Sequence, residues 1–323
     1  MSQATDSANP ATPHPVAAPL GYLVAVWRDM LRVRLATFFE LLKPVTWFAP
    51  MWAFGCGIVS SGTPVWGHWG TILAGVLLCG PLVCGTSQAA NDWFDRHVDA
   101  INEPGRPIPS GRIPGHWGFR IAMIWSAVCV MVAGTLGTWA LVATLVGLTL
   151  AWIYSAPPLR LKLNGWWGNA ACAACYEGLP WITGAAIMTE LAPRGGVLVM
   201  AALYSAGAHG IMTLNDFKSV AGDQQMGVGS LPVRLGVVTA ARVACIMMAI
   251  PQVVVIGLLF AWGFPWHAIL VAGVLVAQGR LMLRLLKDPA GLAPWYNATG
   301  TSLYVLGMLV TAFALRSAAA LPP

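Results

Sequence analysis

Charged side chains are scarce in this chain. Asp, Glu, Lys and Arg make up only 9% of its 323 residues, whereas about 25% is usual in soluble globular proteins. Hydrophobic residues reach 57% and the mean hydropathy is +0.68, so the chain has too little polar surface to cover a soluble core. This shortage excludes an ordinary soluble enzyme and predicts an all-α protein that crosses a membrane many times.

Cysteine is also sparse, and its placement excludes a disulfide framework. The seven cysteines are an odd number and lie in or beside apolar stretches, whereas structural disulfides accumulate in polar extracellular loops. Cys172 and Cys175 have CxxC spacing without a second pair, and structural zinc sites need four ligands. We interpret the cysteines as reduced packing residues, and a metal site at this pair is the weaker alternative.

The two ends of the chain differ from its apolar middle. Residues 1–20 are rich in Pro, Ala, Ser and Thr, so we expect a disordered tail there, and residues 319–323 are expected to form a second tail. Residues 21–43 combine apolar side chains with several arginines. This basic amphipathic pattern is typical of a segment that lies on a membrane surface.

Apolar segments fill the remaining residues, 44–318. Nine of them, each near the ~20 residues that cross hydrocarbon, cover residues 44–61, 70–90, 118–138, 140–156, 170–189, 196–214, 239–262, 266–285 and 298–318. We therefore predict a polytopic bundle of about nine transmembrane helices in a single domain over 44–318.

The basic residues provide a test of this count. With nine spans, the N-terminus and the connections after spans 2, 4, 6 and 8 share one side of the membrane, and that side holds sixteen of the eighteen Lys and Arg residues. Only Arg194 and Arg316 fall on the other side. This bias predicts that the basic side is cytoplasmic and contacts anionic lipid. Nucleic acid is not an expected partner, because membrane crossings interrupt the charge.

The acidic residues are concentrated where the second apolar segment ends. Asp92, Asp95, Asp99 and Glu103 fall within twelve positions, directly after Asn91. Spacings of three and four place these oxygens along one stripe of a helix that continues past the span. Because like charges at this spacing repel, a bound cation would explain the stripe, and hard oxygen ligands favour Mg²⁺ over zinc. A solvated acidic turn is the alternative.

A second acidic cluster follows the sixth apolar segment. Asn215 and Asp216 stand 124 positions after Asn91 and Asp92, and Asp223 comes seven positions later. The offset indicates a weak internal repeat, which pairs spans 2–5 with spans 6–9 and puts both clusters on one side of the membrane. Five aspartates around one cavity can bind two Mg²⁺ ions that bridge to substrate phosphates.

Basic residues accompany both clusters. They are Arg106 and Arg112 after the first acidic helix, Arg160 and Lys162 after the fourth span, and Lys218 beside the second cluster. As a group they favour a clamp for a diphosphate. Each one taken singly is explained equally well by cytoplasmic topology and contact with lipid headgroups.

These segments resemble the UbiA superfamily of intramembrane prenyltransferases. Residues 91–99, NDWFDRHVD, are similar to its NDxxDxxxD motif, and the second cluster resembles its later aspartate motif, although Asp216 and Asp223 depart from the DxxxD spacing of other members. The likeness covers about residues 40–318. Longer similarities mark the branch of chlorophyll and bacteriochlorophyll synthases, and they lie at residues 99–104, 106–111, 154–158, 176–181 and 209–218.

The resemblance implies a helical bundle around a cavity that faces the cytoplasm. It also implies that the aspartates in this cavity hold Mg²⁺, and we interpret the two clusters as sites for two ions. The implied reaction esterifies the propionate carboxylate of chlorophyllide or bacteriochlorophyllide with geranylgeranyl or phytyl diphosphate and releases diphosphate. The implied location is a bacterial inner or intracytoplasmic photosynthetic membrane. Membrane lipid and other pigment-biosynthesis proteins are then the expected neighbours.

Six residues are candidates for the pocket that receives the prenyl chain and the acceptor: Tyr154, Tyr176, Glu177, Trp181, His209 and Asn215. Aromatic faces would stabilise an allylic cation. An ionisable group inside a span is a functional candidate by default, which applies to Glu177. His209 either ligates the chlorin Mg²⁺ or makes an ordinary hydrogen bond between helices.

Two other functions remain open at this point. A prenyltransferase of quinone biosynthesis would share the aspartate motifs but would attack through an aromatic carbon. A Mg²⁺ or anion transporter built on inverted repeats would place its acidic residues near the bilayer midplane. Here they lie at the ends of spans on one face.

Overall fold

The computed structural model describes residues 35–319. The predicted tail over 1–20, most of the predicted surface segment over 21–43 and residues 320–323 lie outside this range. The described residues form twelve helices, which we number α1 Leu35–Leu42, α2 Phe48–Ser61, α3 Trp69–Asn102, α4 Trp117–Thr135, α5 Thr138–Ser155, α6 165–189, α7 Gly195–Asn215, α8 Val220–Gln225, α9 Leu231–Leu235, α10 Val237–Ala261, α11 Pro265–Leu285 and α12 Pro289–Ala319. The predicted all-α class is confirmed.

Helices occupy all nine ranges in which spans are predicted. Seven helical stretches in the described chain are long and apolar enough to cross a membrane, and they correspond to α3, α4, α5, α7, α10, α11 and α12. This establishes a multi-pass membrane protein. Helix α2 has only 14 residues and α6 is not among the seven, so the count of nine spans stays a prediction.

Helix α3 carries the first acidic cluster out of its apolar part without a break. The apolar part contains a π-helical stretch over Leu78–Cys84 with Pro81 inside it, and a regular α-helix then runs from Gly85 to Asn102. Proline removes a hydrogen bond donor from the helix, which explains the wider turn at this point. The predicted helical stripe of Asn91, Asp92, Asp95 and Asp99 is thus present on one rigid rod.

The second cluster has a different backbone. Helix α7 ends at Asn215, a 3₁₀ turn covers Asp216–Ser219, and the short helix α8 follows. A glycine such as Gly222 is expected to interrupt a continuing helix, but it lies inside α8 with no clash or positive φ. The change of direction occurs instead at the 3₁₀ turn.

Two glycines bring helices α2 and α6 into backbone contact. A Cβ atom added to Gly57 would lie 2.2 Å from the carbonyl oxygen of Trp181, and one added to Gly184 would lie 2.2 Å from the carbonyl oxygen of Phe54. Small residues at such crossings allow dispersion contacts that larger side chains would prevent. The crossing holds α2 against the centre of the bundle.

We expect Gly57→Ala to destabilise the protein, because the new methyl group must push two backbones apart. Overpacking of this kind costs about 1–3 kcal/mol. Gly55→Ala is the matched control, since no atom lies within 4 Å of its added Cβ. Thermal unfolding in detergent should show a lower midpoint for Gly57→Ala alone, and equal midpoints for the two variants would contradict the close crossing.

Aromatic side chains with satisfied polar groups fill the bundle between α6, α7 and α12. Trp181 stacks on Tyr204 with ring centroids 5.6 Å apart, and its Nε1 donates to Ser60 Oγ at 3.0 Å. The Tyr304 hydroxyl donates to the Tyr204 carbonyl at 2.6 Å. Pairing these groups inside the bundle avoids the cost of a bare polar atom. Trp181, a predicted pocket residue, is therefore a packed core residue with 0% exposure.

One hydrogen-bonded bridge ties the loop after α5 to the loop after α8. The Gly165 amide donates to the Gly229 carbonyl at 2.9 Å, and the Gly229 amide donates to the Leu163 carbonyl at 3.0 Å. Asn164 caps α6 by accepting from the Trp166 amide at 3.0 Å. The basic residues of the first loop, Arg160 and Lys162, lie beside the first acidic cluster.

Candidate active site

The first acidic cluster is mostly buried and is ordered by side-chain hydrogen bonds. Asp92 is 1% exposed and Asp99 6%. The Asn91 amide donates to Asp95 Oδ2 at 3.0 Å and to Ser155 Oγ at 3.1 Å, which links α3 to the end of α5. Asn91 thus orients a carboxylate, as its position one turn before Asp95 predicts.

Basic side chains from two separate segments reach Asp92 and Asp99. Lys43 Nζ lies 2.7 Å from Asp92 Oδ1. The Arg106 guanidinium lies 2.9 Å from Asp99 Oδ2 and 3.5 Å from Asp92 Oδ1, and it also pairs with Glu103. Arg106 therefore bridges three carboxylates at the end of α3. Such charge-assisted contacts fix the geometry of a cluster that would otherwise repel itself.

The loop after α5 supplies the partners of Asp95. Lys162 Nζ bonds to Asp95 Oδ1, and the Arg160 guanidinium lies 3.7 Å from the same oxygen. Burial lowers the pKa of Lys162 from its ordinary value, while the Asp95 carboxylate acts in the opposite direction. Lys162 is a largely desolvated cation that faces the acidic stripe.

Two of these basic residues have an unusual backbone. Lys43 has φ 47° and Arg160 has φ 39°, both in the left-handed region, and among the described residues Glu190 is the only other residue besides glycine with positive φ. A side chain with a Cβ costs energy in this region, and such strain often occurs at functional sites. At both positions the conformation accompanies a side chain that reaches the aspartates.

Neutral donors hold the second cluster. The Asn169 amide donates to Asp216 Oδ2 at 3.1 Å and to Thr213 Oγ1 at 3.3 Å, and Ser219 Oγ donates to Asp223 Oδ2 at 3.2 Å. Lys218 is exposed. Within the described residues, neither Asp216 nor Asp223 has a Lys or Arg nitrogen within 4.0 Å. The two clusters therefore differ in charge although they resemble each other in sequence.

The helical extensions of the two clusters touch each other. Asn102 Nδ2, at the end of α3, lies 3.6 Å from the thioether sulfur of Met226, directly after α8. Tyr154 is half-buried near the end of α5, and the adjacent Ser155 contacts the first cluster. These links bring both predicted clusters to one end of the bundle.

Arg112 lies apart from the aspartates. Its guanidinium forms a bidentate pair with Glu40 at 2.5 and 2.7 Å and donates to the Gly105 carbonyl at 2.5 Å. The pair is exposed, and it fastens the loop after α3 to α1. Of the five basic residues predicted for a diphosphate clamp, the structure brings Arg106, Arg160 and Lys162 to the first cluster.

Tyr176 lies one to two turns of α3 deeper than the aspartates. Its hydroxyl is 3.4 Å from Gln88 Nε2 and 3.7 Å from Cys84 Sγ. It belongs to a π-helical stretch, Ala174–Gly178, and Cys84 is the last residue of the π-helical stretch of α3. Irregular turns of this kind are frequent at functional sites. Tyr176 is thus a pocket candidate that contacts the helix of the acidic stripe directly.

The other pocket candidates occupy different surroundings. Glu177 is 2% exposed and its Oε2 has no hydrogen-bond partner. His209 Nε2 lies 3.1 Å from the Trp166 carbonyl, and its ring is tilted by 31° against the Trp166 ring at a centroid distance of 5.3 Å, which corresponds to the helix-packing alternative. Asn215 Oδ1 accepts from Asn297 Nδ2 at 2.8 Å, in a cavity of about 260 Å³ that Lys218 also lines.

The aspartates suit Mg²⁺ that is shared with a substrate. Among the described residues, no three His, Cys, Asp or Glu side chains come close enough to form a metal cage on their own. Asp92 Oδ2 is buried and accepts no hydrogen bond, so this oxygen is free to ligate a cation. Mg²⁺ commonly uses one or two carboxylates and completes its shell with water and phosphate oxygens. The donor set therefore fits a diphosphate-bridged ion.

Residues 47–306 match the UbiA prenyltransferase family. The chain is 56% identical over 283 residues to the bacteriochlorophyll synthase 33 kDa chain of Cereibacter sphaeroides, covering 88% of this chain and 94% of that one. It is 41% identical to the chloroplastic chlorophyll synthase of Arabidopsis thaliana over 85% of this chain and 73% of that one. A UbiA homologue from Archaeoglobus fulgidus, solved with GPP and Mg²⁺, has the same fold with a TM-score of 0.67, 18% identity and coverage of 83% and 99%.

This chain therefore belongs to the UbiA prenyltransferase family and is an intramembrane prenyltransferase. The resemblance inferred from the aspartate motifs is confirmed. Membership of a prenyltransferase family also disfavours the transporter interpretation.

Several site residues are not predicted by the sequence patterns. Lys43 contacts Asp92 across 49 positions and Asn169 contacts Asp216 across 47. The amphipathic pattern assigns Lys43 to the surface segment, although its place directly before the first apolar segment puts it on the predicted side of the aspartates. Asn169 directly precedes the fifth apolar segment, and a polar amide at the end of a span is the sequence feature that marks it as a candidate. Neither signal identifies the partner, because pairing across helices depends on tertiary packing.

Proposed function

We propose that this protein is a bacteriochlorophyll synthase, which esterifies the propionate carboxylate of bacteriochlorophyllide with geranylgeranyl or phytyl diphosphate. The observation that carries the proposal is the 56% identity with a protein of that name over nearly its full length. The lower identity with a chlorophyll synthase, 41%, favours the bacteriochlorin over the chlorin as acceptor.

Diphosphate departure is the step that the two acidic clusters serve in this proposal. Asp92, Asp95 and Asp99 would hold one Mg²⁺, and Asp216 and Asp223 would hold a second. When bound, these ions neutralise the charge that develops on the leaving oxygens. Supporting this assignment, the solved homologue from Archaeoglobus fulgidus contains GPP together with Mg²⁺.

The basic residues of the first cluster complete the diphosphate site. Arg106, Arg160 and Lys162 lie on the acidic stripe in the structure, so a diphosphate bridged to the aspartates by metal comes within their reach. Arg106 offers a planar fork suited to two phosphate oxygens, and Lys162 offers a desolvated point charge. Lys218, exposed beside the second cluster, is a candidate for the outer phosphate.

The acceptor needs orientation more than activation. A propionate is already ionised at neutral pH, so no strong general base is required. In this proposal Tyr176 shields the allylic carbon from water and presents an aromatic face to its positive charge, and the contact of its hydroxyl with Gln88, one turn of α3 before Asp92, supports this role. Glu177, His209 and Asn215 remain pocket candidates in the proposal, and Trp181 supports the pocket wall from the core.

The purified protein tests this function directly. With geranylgeranyl diphosphate and Mg²⁺ we expect bacteriochlorophyllide to become an esterified, hexane-extractable pigment, and we expect hydroxybenzoate and homogentisate to remain unchanged. EDTA should stop the reaction and excess Mg²⁺ should restore it. If a small phenol is C-prenylated while the pigment is untouched, the acceptor assignment is wrong and the quinone alternative is correct.

The proposed location is a bacterial inner or intracytoplasmic photosynthetic membrane, with the aspartates toward the cytoplasm. The bias of basic residues toward one side supports this orientation. Helix α7 separates Gly195 at its start from the acidic cluster at its end by 21 residues, about 30 Å of helix. The two ends of α7 therefore lie on opposite faces of a membrane.

Site-directed labelling checks this orientation. Single cysteines at Gly105 and Gly222 should react with an impermeant maleimide from the cytoplasmic side, and one at Gly195 from the opposite side. No atom lies within 4 Å of an added Cβ at these positions, and the seven natural cysteines are buried or half-buried. Labelling of Gly222→Cys and Gly195→Cys from the same side would refute the topology.

A further inference from the structure

Three of the four polar residues of the first acidic stripe recur in the second cluster. Asn91, Asp92 and Asp99 each have the same residue 124 positions later, at Asn215, Asp216 and Asp223. The contact between Asn102 and Met226 joins two positions that are also 124 apart. The two clusters are thus counterparts, and a difference between counterpart positions marks a difference in what each cluster does.

Charge is where the counterparts differ. The first cluster pairs its aspartates with Lys43, Arg106 and Lys162. In the second cluster the counterpart of Asp95 is Ser219. The side chain that donates to Asp216 is the neutral Asn169, near the start of α6. The aspartates of the first cluster are paired with the protein's own cations, whereas among the described residues no Lys or Arg nitrogen lies within 4.0 Å of Asp216 or Asp223.

Lys43 occupies one of the two carboxylate oxygens of Asp92. Its ammonium lies 2.7 Å from Asp92 Oδ1, and Arg106 approaches the same oxygen to 3.5 Å. A divalent ion on this buried carboxylate would sit next to two positive groups, which repel it in a medium of low dielectric constant. A diphosphate removes the conflict, because its oxygens offer these cations a second anionic partner at the same place.

We propose that Lys43, assisted by Lys162, makes divalent-metal binding at the Asp92–Asp95 cluster conditional on a diphosphate, whereas the Asp216–Asp223 cluster binds its ion without one. This rests on the diphosphate chemistry proposed above. Lys43 is a positioning residue: it holds Asp92 until the metal–diphosphate complex arrives and then contacts the diphosphate. By linkage, the metal and the diphosphate strengthen each other's binding at the first cluster only.

Mn²⁺ binding measures this coupling without turnover. Electron paramagnetic resonance of free Mn²⁺ would be recorded for the detergent-solubilised protein with and without geranylgeranyl thiolodiphosphate, an unreactive analogue, after subtraction of the Mn²⁺ that the analogue binds alone. We expect one site without the analogue and two with it. Asp216→Asn should remove the site that is filled without the analogue. Asp92→Asn should remove only the site that appears when the analogue is present.

Lys43→Met provides the decisive variant. It should increase the affinity of the first cluster for Mn²⁺ in the absence of the analogue by about tenfold, a typical size for coupling between ligands, and should weaken analogue binding. Lys43→Arg should restore the coupling. Lys287→Met is the matched control, since Lys287 is exposed and distant in sequence from both clusters, and it should behave as the unaltered protein. Lys162→Met is the second test should Lys43→Met not fold.

Two results would overturn the inference: equal filling of both sites without the analogue, or unchanged Mn²⁺ affinity in both Lys43→Met and Lys162→Met. These outcomes are separable from failure of the proposed function. Esterified pigment with uncoupled Mn²⁺ sites would refute the inference alone. Coupled Mn²⁺ sites without esterified pigment would refute only the assignment of bacteriochlorophyllide as the acceptor.

Discussion

Asp92→Asn should reduce kcat at saturating substrates by at least about 10²–10³-fold, the loss that follows removal of one electrostatic stabiliser of a transition state. Asp92 is almost fully buried and ends in an oxygen that accepts no hydrogen bond. Asparagine keeps the size of the side chain and removes the charge that a metal requires. The rate of pigment esterification at saturating Mg²⁺ and diphosphate measures the effect.

Asp288→Asn is the matched control for this substitution. Asp288 is exposed and accepts from the Gly291 amide at 3.1 Å at the start of α12, a capping role that asparagine fills equally well. We expect normal kcat for this variant. A near-normal rate in Asp92→Asn, in protein that elutes and unfolds like the parent, would contradict a metal role for the first cluster.

Arg106→Gln should lower kcat/KM for the prenyl diphosphate by about 100-fold, because it removes a fork-shaped cation that lies on two aspartates of the stripe. Burial by itself would lower the pKa of Arg106, but the neighbouring carboxylates outweigh it and raise the pKa. The guanidinium therefore stays charged near neutral pH. Initial rates against diphosphate concentration at fixed pigment give the measurement.

Arg112→Gln is the informative comparison, because both arginines belong to the same turn-rich segment. Arg112 pairs with Glu40 on the surface and not with the aspartates. Exposed ion pairs of this kind contribute little to the stability of a protein. We expect a change of less than about fivefold. Equal losses in Arg106→Gln and Arg112→Gln would mean that the segment rearranges around the substrate and that both residues contact it.

Local patterns are sufficient for the class of protein and for the acidic stripe. Hydropathy reports which stretches prefer lipid, and spacings of three and four report which oxygens share a helical face. Both depend on residues that are neighbours in sequence, so helical periodicity alone places Asn91, Asp92, Asp95 and Asp99 on one rod. The motif around them is specific enough to indicate the family.

Pocket residues are harder to assign. Trp181 and Tyr176 are five positions apart in one predicted span, and both are aromatic. Only the rotation of α6, with its π-helical stretch, directs Tyr176 toward Gln88 while Trp181 stacks on Tyr204. A sequence with weak amphipathicity does not determine that rotation, because lipid and core are equally apolar.

The sequence by itself determined that this is a helical membrane protein, with two acidic clusters and most of its basic residues on the same predicted side of the membrane. Only the tertiary structure decided which cation meets which carboxylate: Lys43 reaches Asp92 across 49 positions and Lys162 reaches Asp95 across 67, while Arg112 turns away to Glu40. The physical reason is that charge and hydropathy are local properties of a chain. Pairing of side chains depends on how helices cross and rotate, and close approaches such as the one between Gly57 and Gly184 set those angles.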